Sequence, residues 1–421
     1  MPPQSSRSAI TIHWVSPLPP AETDIAHYTA RILPALSARA EVVLWTNALE
    51  WDLSLERYCT VRHFDPDTIL PRDFTTARRG TGPEVVFIHI GNSWVYHAGF
   101  LRLAQRIPSV VVLHDLAIQE LMIEAVEYNE WEAARYLAGM EKWYGAEGMQ
   151  TGKACLAKDK KGADLSSVMP GYELAMEKAL SILTHTSPAQ SIIQARLPEL
   201  TCHLLPLPFE IGPAPMRAQM STGPLRLLQF GWIGPNRRLE QVLEALAQMP
   251  KDFDFRLDVM GKIWNPAAIQ SKLVELNLVD RVCLHGFVPD AILEDALRQA
   301  DLVLNMRYPS MGEASGSQLR IWNAGAPAAV TRLGWYAELP DNVAYFIDLE
   351  DERAQLHALF ATLAADRRAG AEIGAAGRAY FEAHHDPDTY AQEIVQIAHQ
   401  SAEKDNQTLA RSLSAQYSLK R

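Results

Sequence analysis

Short apolar runs alternate with longer stretches of helical periodicity through both halves of the chain. In the first half the runs rich in β-branched residues are residues 9–15, 41–46, 84–91, 109–115, 180–186 and 201–207. In the second half they are residues 225–233, 255–261, 281–287, 301–306 and 328–331. Because the runs are nearly continuous rather than alternating, they predict strands covered on both faces, as in a parallel sheet. Between the first two runs of the second half, apolar residues recur at helical spacing, as at Leu239, Val242 and Leu246, and predict an amphipathic helix.

Three segments lack this alternation. Residues 205–224 are rich in proline and glycine and predict a linker between two doubly wound α/β halves. Residues 148–171 predict a mobile surface loop, and the polar residues 401–421 predict a frayed or disordered tail. In open α/β sheets, ligands bind beyond the carboxyl ends of the strands. The residues that follow each apolar run are therefore the candidates for function.

Composition narrows the class of protein. A chain of 421 residues exceeds the usual size of one domain, and its 48% hydrophobic and 21% charged residues are ordinary for a globular protein. The formal net charge of −11 argues against nucleic acid as the main partner. The four cysteines lack metal-site spacing, which predicts reduced thiols and a cytoplasmic protein. No signal-peptide pattern and no apolar run of roughly 18 residues is present, so we expect no transmembrane segment.

The most informative segment is residues 306–327. A loop after a strand-like run holds one carboxylate, Glu313. Three small residues follow at a predicted helix start: Ser315, Gly316 and Ser317. Small residues there leave backbone N–H groups accessible, and the helix dipole favours negative charge, so the segment predicts a phosphate site. Glu313 cannot bind phosphate and is expected to accept hydrogen bonds from hydroxyl groups. Phosphate beside a polyol is the chemistry of a nucleotide sugar.

Polar residues also follow the strands of the first half. They are Asp24, His27, His89, Asn92, His114 and Asp115. A histidine at a strand end can hydrogen-bond a sugar hydroxyl or carry a proton near neutral pH, so these residues are candidates for contact with an acceptor or a sugar. For each histidine a structural role is the alternative, and Asp24 is equally well explained as a helix cap.

Basic residues follow the first two strands of the second half. Arg237 and Arg238 lie in a Pro-Asn loop at a predicted helix start, where they can reach a diphosphate. Lys262 follows the next strand and is a second candidate for phosphate. The alternative for these cations is a solvated surface position.

Taken in order, these motifs resemble the retaining glycosyltransferases of the GT-B fold, the family-four group that includes bacterial mannosyl- and glucosyltransferases. The resemblance covers about residues 9–400. It rests on SPLPPAETDIAHYTARILPAL, HIGNSWVYHAGF, VVVLHD, FGWIGPNRRLEQVLEAL, HGFVP and RYPSMGEASGSQLRIWNAGAP followed by GWYAELPD. The most similar subgroup contains transferases of surface-polysaccharide or lipopolysaccharide assembly.

The resemblance implies a role for each matching residue. His114 would approach the donor sugar, and Arg237 would neutralise the donor diphosphate. Glu313 corresponds to the first glutamate of the family's paired-glutamate motif, which contacts the transferred sugar. The backbone amides of residues 314–317 would hold sugar hydroxyls and phosphate.

The chain departs from the family pattern at three places. Thr23 and Asp24 stand where the family usually has glycine, which places a negative charge near the acceptor and phosphates. Trp232 replaces an arginine and removes one positive charge. Arg320 stands where the second glutamate normally accepts hydrogen bonds from the ribose. Because arginine only donates hydrogen bonds, Arg320 is expected to pair with phosphate or with Glu313.

The resemblance also implies the domain organisation. Residues 1–208 would form an N-terminal, acceptor-side Rossmann-like domain, and residues 209–383 a C-terminal Rossmann-like domain that binds the nucleotide sugar. Residues 384–400 would form a helix that crosses back to the first domain, before the polar tail. The two domains are expected to face a central cleft.

The expected function is transfer of a hexose-type sugar from a nucleotide-diphosphate sugar to a saccharide or lipid-linked acceptor, with retention, in glycan or polysaccharide biosynthesis. The donor is a substrate, and no cofactor and no metal are expected. The expected location is the cytoplasm, with peripheral contact at the inner face of the membrane left open. The alternative is a catalytically degenerate GT-B subunit that binds a sugar nucleotide or a partner transferase. The three departures favour this alternative, whereas His114, Glu313 and Arg237 favour the transferase.

Overall fold

The computed structural model describes residues 10–77, 79–213 and 223–418, with side chains described as far as residue 405. Residues 214–222, within the predicted linker, lie outside the described residues. The chain folds into two compact units. One comprises Met1–Glu210, Met311–Ala314 and Asp386–Arg421, and the other comprises Ile211–Ser310 and Ser315–His385. Within the described residues, no helix is long and apolar enough to cross a membrane.

The first unit is built on a parallel sheet. Its strands are β1 (Thr11–Val15), β2 (Glu41–Thr46), β3 (Thr60–His63), β4 (Glu84–Ile90), β5 (Ser109–Leu113), β6 (Ala179–Thr184) and β7 (Cys202–Leu204). Within the described residues they form one seven-stranded sheet in the order β3-β2-β1-β4-β5-β6-β7, with parallel neighbours. The connecting helices are α1 (Asp24–Ser37), α2 (Pro71–Ala77), α3 (Trp94–Ala104), α4 (Gln119–Glu127), α5 (Ala133–Leu156) and α6 (Ser187–Arg196).

Both faces of this sheet are covered. Trp14 and Phe87 lie in one hydrophobic cluster, where their rings stack with centroids 5.5 Å apart. Val15 and Ile88, the next residue along each strand, lie in the other cluster. Successive side chains of a strand point to opposite faces, so each strand supplies both clusters and reads as a continuous apolar run.

The second unit repeats the architecture with a smaller sheet. Its strands are β8 (Leu225–Phe230), β9 (Phe255–Met260), β10 (Val282–Gly286), β11 (Leu302–Leu304), β12 (Ala328–Thr331) and β13 (Tyr345–Ile347). In the part of the chain that is described they form one six-stranded parallel sheet in the order β10-β9-β8-β11-β12-β13. The helices are α7 (Leu239–Ala247), α8 (Pro266–Glu275), α9 (Asp290–Gln299), α10 (Gly316–Asn323), α11 (Glu352–Ala365) and α12 (Arg368–His384).

The predicted α/β class with two parallel sheets is confirmed, and each predicted apolar run overlaps a strand. The predicted amphipathic helix is α7, whose Val242 and Leu246 are buried. The sequence did not predict β3 and β13. Both lie at a sheet edge and are only partly covered. β3 has no continuous apolar run, whereas β13 is apolar but only three residues long.

The predicted surface loop at residues 148–171 is wrong over its first part, because α5 continues to Leu156. A kink at Gly145 interrupts this helix, and the turns that follow pack through small residues. A Cβ on Gly148 would lie 2.5 Å from the carbonyl oxygen of Met140, and Gly152 is buried as well. A packing face made of glycine has no apolar periodicity, which is why the sequence resembled a loop.

The predicted disordered tail also differs from the structure. The last helix, α13 (Pro387–Ser418), runs well beyond residue 401. Ser401 and Ala402 are buried, and the hydroxyl group of Ser401 lies 3.1 Å from that of Ser181 in β6. Small and hydroxylated residues can pack against a sheet without a large apolar side chain. Composition alone therefore did not predict that the helix continues past residue 401.

Candidate functional site

Two glycines allow the carboxyl ends of β8 and β9 to approach closely. Gly231 follows β8 with φ +100°, and Gly261 follows β9 with φ +134°. A Cβ on Gly261 would lie 1.9 Å from the carbonyl oxygen of Gly231, so no larger residue fits at position 261. The contact continues where the N–H of Ile233 donates to the carbonyl of Lys262 at 2.8 Å.

Arg237 lies beside this junction. It ends the short 3-10 turn Pro235–Arg237 and is only 5% exposed. Its Nη2 donates to the carbonyl of Phe230 at 3.0 Å, and its own carbonyl accepts from Nε2 of Gln229 at 2.8 Å. The strand end therefore holds a buried guanidinium group in a fixed position.

The start of α10 reaches the same junction. A Cβ on Gly231 would lie 3.9 Å from Nη2 of Arg237 and 3.9 Å from Oγ of Ser317. Gly316 and Ser317 form the first turn of α10, where backbone N–H groups lack partners within the helix and the dipole is positive. A cation and a helix N-terminus thus converge on one backbone position, an arrangement suited to an anion.

Ser315 has a structural role at this turn. It is the N-cap of α10, its buried Oγ accepts from the N–H of Gln318 at 3.2 Å, and Nη2 of Arg307 donates to the same oxygen at 3.2 Å. The sequence treated Ser315 as a donor-binding residue and missed Arg307, although Arg307 also follows a strand of the same sheet. The signal that was applied to Arg237, a basic residue just past a strand, would have found it.

A network of buried hydrogen bonds connects the first turns of α10 to the end of β11. Nδ2 of Asn305 donates to Oε1 of Gln318 at 3.0 Å and to the hydroxyl oxygen of Tyr336 at 2.9 Å. Asn305 and Gln318 are both buried. The network joins the end of β11 to the first turns of α10, which fixes the helix start.

Glu313 belongs to the short segment Met311–Ala314, which is part of the first unit. Its Oε2 accepts from the N–H of Met311 at 2.7 Å. The carbonyl of Met311 accepts from the N–H of Ala117, and the carbonyl of Gly312 accepts from Oγ1 of Thr186 at 3.1 Å. Residues that follow β5 and β6 therefore hold the loop that carries Glu313.

The first unit brings three histidines together at the ends of β4, β5 and β6. Nδ1 of His89 and Nε2 of His114 are joined by a hydrogen bond of 2.9 Å. The rings of His114 and His185 lie 4.9 Å apart, and the ring of Tyr28 lies 5.0 Å from that of His114. The sequence predicted His89 and His114 but missed His185, which follows β6 with the same signal.

These imidazoles are held neutral. Burial lowers the pKa of His114 well below its usual range, and the neighbouring His185 and His89 lower it further. Burial also lowers the pKa of His89 well below the usual value and that of His185 to about 4. Around pH 7 the cluster therefore offers hydrogen bonds rather than positive charge.

The remaining polar candidates of the first unit are divided between structural and exposed positions. The N–H of Asn92 donates to Oδ2 of Asp115 at 2.8 Å, and the Asn92 side chain contacts Glu120 and the N–H of Leu121. Asp24 and His27 are exposed on the first turns of α1. Thr23, rather than Asp24, supplies the N-cap of this helix, since its side chain accepts from the N–H of Ile25.

The other cations of the second unit have different surroundings. Lys262 is exposed just past β9. Nη2 of Arg320 pairs with Oδ1 of Asp290 at 2.7 Å, and Arg238 pairs with Glu352. The predicted alternatives for Arg320 were phosphate and Glu313, so its carboxylate partner in the structure was not foreseen.

Trp232 is 53% exposed beside the junction and meets the ring of Trp264 edge-on, with centroids 6.0 Å apart. A Cβ on Gly234 would lie 2.3 Å from the Trp232 ring, so this glycine lets the indole lie against the backbone. An exposed indole therefore occupies the position where the resemblance implied an arginine.

Comparison with known proteins rests on solved structures. No family model matches the chain, and no curated protein matches it. HepE from Anabaena in complex with UDP is 15% identical, with a TM-score of 0.60 over 93% of this chain and 100% of that one. Sucrose-phosphate synthase from Thermosynechococcus elongatus is 18% identical, with a TM-score of 0.61 over 93% and 98%. WaaG, a glycosyltransferase of lipopolysaccharide biosynthesis, is 14% identical, with a TM-score of 0.56 over 92% and 99%.

These similarities extend over almost the whole of each chain and include both parallel sheets. Sequence identities this low establish the fold alone. The protein has the GT-B fold that these glycosyltransferases share.

Proposed function

We propose that the protein is a retaining glycosyltransferase that moves a hexose-type sugar from a nucleoside-diphosphate sugar to a saccharide or lipid-linked acceptor. The observation that carries this proposal is the convergence of Arg237 and the first turn of α10 on Gly231. In glycosyl transfer the leaving group is a nucleoside diphosphate, whose phosphate gains negative charge as the glycosidic bond breaks. A fixed cation and a helix N-terminus stabilise that charge without reorganisation.

The burial of Arg237 strengthens this effect. A positive group in a low-dielectric environment interacts with developing charge more strongly than one in water. Removal of one preorganised donor at a developing anion costs about 3 kcal/mol of transition-state stabilisation. Arg237 is therefore the residue on which the proposed chemistry depends most.

The neutral histidines and Glu313 supply groups suited to a sugar. Around neutral pH His114 can donate or accept a hydrogen bond to a hydroxyl group without adding positive charge. Glu313 offers carboxylate oxygens as acceptors, as the family pattern implies for the first glutamate. We assign both residues to the transferred sugar. The residues assigned to the acceptor side are Asp24, His27, His89, Asn92 and Asp115.

Uridine diphosphate sugars are the first donors to test. HepE was solved with UDP and with UDP-glucose, which is a property of that protein. WaaG acts in lipopolysaccharide biosynthesis, and we place this chain in a comparable glycan-assembly role in the cytoplasm. No cofactor enters the proposed reaction.

The departures from the family pattern support a second candidate, a GT-B subunit that binds a sugar nucleotide or a partner transferase without turnover. Trp232 removes a cation, and Arg320 removes the expected ribose acceptor. The transferase and a subunit that binds a sugar nucleotide differ in one observable, since both bind a donor but only the transferase releases the nucleotide.

The test is a screen of UDP-, GDP- and dTDP-sugars, with thermal shift for binding and nucleotide release for turnover. A donor that shifts the melting temperature and releases nucleotide with a saccharide or lipid-linked acceptor supports the transferase. A shift without release under any acceptor supports the subunit that binds a sugar nucleotide. The absence of a shift with any donor contradicts the transferase and that subunit, and leaves only the subunit that binds a partner transferase. Retention is then tested by the anomeric configuration of the isolated product.

A further inference from the structure

A second cluster of potential ligands lies on β9 and β10, apart from the residues of the proposed donor site. It consists of Asp258, Cys283 and His285, and one ligand atom of each lies within 4.8 Å of the others. Nε2 of His285 and Oδ1 of Asp258 are 2.6 Å apart. The sequence counted Cys283 among scattered thiols, because its partner Asp258 is remote in the chain and becomes adjacent only through strand pairing.

The pairing of the two strands explains the cluster. Cys283 stands opposite Asp258 in the parallel register, so the two side chains share one face of the sheet. Asp258 lies between the buried residues Leu257 and Val259, which point to the opposite face. The register shifts between Leu284 and Gly286, and at this irregularity the His285 ring reaches Asp258.

We propose that Asp258, Cys283 and His285 bind one divalent transition-metal ion of the zinc class, with water as the fourth ligand. Thiolate, imidazole and carboxylate together are the ligands that zinc accepts, whereas magnesium and calcium prefer oxygen alone. Zinc–ligand bonds of about 2.0 to 2.3 Å place neighbouring tetrahedral ligand atoms about 3.3 to 3.6 Å apart. The contact between His285 and Asp258 therefore needs to lengthen by less than about 1 Å to admit the ion.

The position of the cluster means that such an ion would link the edge strand of the sheet to its neighbour. β10 is the edge strand of its sheet, and its last residue, Gly286, accepts from the N–H of Gly261 at 2.6 Å. An ion bound by residues of both strands would stabilise the pairing of β10 with β9 immediately before Phe287, which is 87% exposed. Because the ion binds the folded state, the melting temperature rises with the free ion concentration and goes on rising after the site is saturated.

The test is titration of the reduced full-length protein with Co²⁺, which substitutes for Zn²⁺ and reports on its ligands by absorption. We expect one equivalent to produce thiolate-to-cobalt charge transfer and the visible bands of a four-coordinate ion, both displaced by one equivalent of Zn²⁺. Cys283→Ser abolishes the charge-transfer band, and Asp258→Asn or His285→Gln weakens Co²⁺ binding about 100-fold or more.

Cys59→Ser is the matched control, because Cys59 is another partly buried thiol, located in the first unit. It leaves the titration unchanged. The proposal is overturned if the wild-type protein gives no charge-transfer band, or if the band survives in Cys283→Ser. Far-ultraviolet circular dichroism of each metal-free variant shows whether it is folded. The readout needs no sugar donor, so its failure is distinguishable from failure of the proposed function.

Discussion

Nη2 of Arg237 and Oγ of Ser317 lie close to the same glycine. Each is 3.9 Å from the point that a Cβ on Gly231 would occupy. The two residues are separated by 80 positions in the sequence. The end of β8 and the start of α10 bring them together on one sheet. A buried cation therefore lies near the first turn of α10 where the strand ends.

The close approach of Gly231 and Gly261 predicts a large difference between two glycine substitutions. Gly261→Ala places a Cβ 1.9 Å from a backbone oxygen, so the strand ends must separate, and we expect a loss of about 3 kcal/mol or more in the free energy of unfolding. Gly286→Ala is the control, because its φ of +69° is strained but no atom lies within 4 Å of the added Cβ. It costs about 1 to 2 kcal/mol. Urea denaturation measures both, and equal losses would contradict the account.

Arg320 is proposed to supply the positive charge that Trp232 removes. Its partner Asp290 is 77% exposed in its side chain, and exposed ion pairs contribute about 0 to 1 kcal/mol, so a bound diphosphate can replace this carboxylate. We expect Arg320→Ala to lower kcat/KM at least about tenfold. Asp290→Asn removes the competing charge and keeps turnover at or above the wild-type level. Steady-state kinetics with the identified donor decides, and wild-type turnover in Arg320→Ala would rule out the compensation.

The buried histidines predict that stability falls as the pH is lowered. His97 is a buried residue of α3. Burial reduces the pKa of His97 to about 4, whereas an unfolded histidine titrates near 6.5. Between these values the unfolded chain binds the proton and the folded chain does not, so acidification favours unfolding by up to about 1.4 kcal/mol per pH unit for this residue. Urea denaturation from about pH 7 to about pH 5 measures the slope.

His97→Asn is the matched variant for that experiment. Its amide group can replace the contact of 3.0 Å between Nδ1 of His97 and the carbonyl of His89, but it does not titrate. The slope of stability against pH should become smaller in the variant by the contribution of one histidine. An unchanged slope would show that His97 is not held neutral.

The C-terminal helix α13 is predicted to be an integral part of the first unit. Ile394 is fully buried in the same hydrophobic cluster as Trp14 and Phe87, so Ile394→Ala should cost about 2 to 5 kcal/mol in the free energy of unfolding. Gln396→Ala on the exposed face of the same helix is the control and should change it by less than about 0.5 kcal/mol. If the two variants unfold alike, the helix does not pack as described.

The strands and their ends could be predicted from the sequence because a strand covered on both faces is a continuous apolar run. That pattern located β1 and β8 and, just beyond the strand ends, Arg237 and His114. It could not show which polar side chains form hydrogen bonds within the folded protein. Ser315 and Ser317 are equivalent in the sequence, yet Ser315 caps α10 and Ser317 does not.

Long-range partners account for the other differences. The pairing of Arg320 with Asp290 depends on the relative placement of α10 and α9. His185 carries the same strand-end signal as His114, and its significance appears only when the two rings are found 4.9 Å apart. Contacts of this kind join residues that no local pattern relates.

Nucleotide release from a sugar donor, measured side by side for the wild-type protein and Arg237→Ala, tests the central claim most directly. Arg256→Ala removes an exposed arginine of β9 and serves as the control. The account predicts acceptor-dependent release by the wild type and by Arg256→Ala, and a loss of about 100-fold or more in kcat/KM for Arg237→Ala. Release that is unaffected by Arg237→Ala would contradict the assignment of the diphosphate to this site.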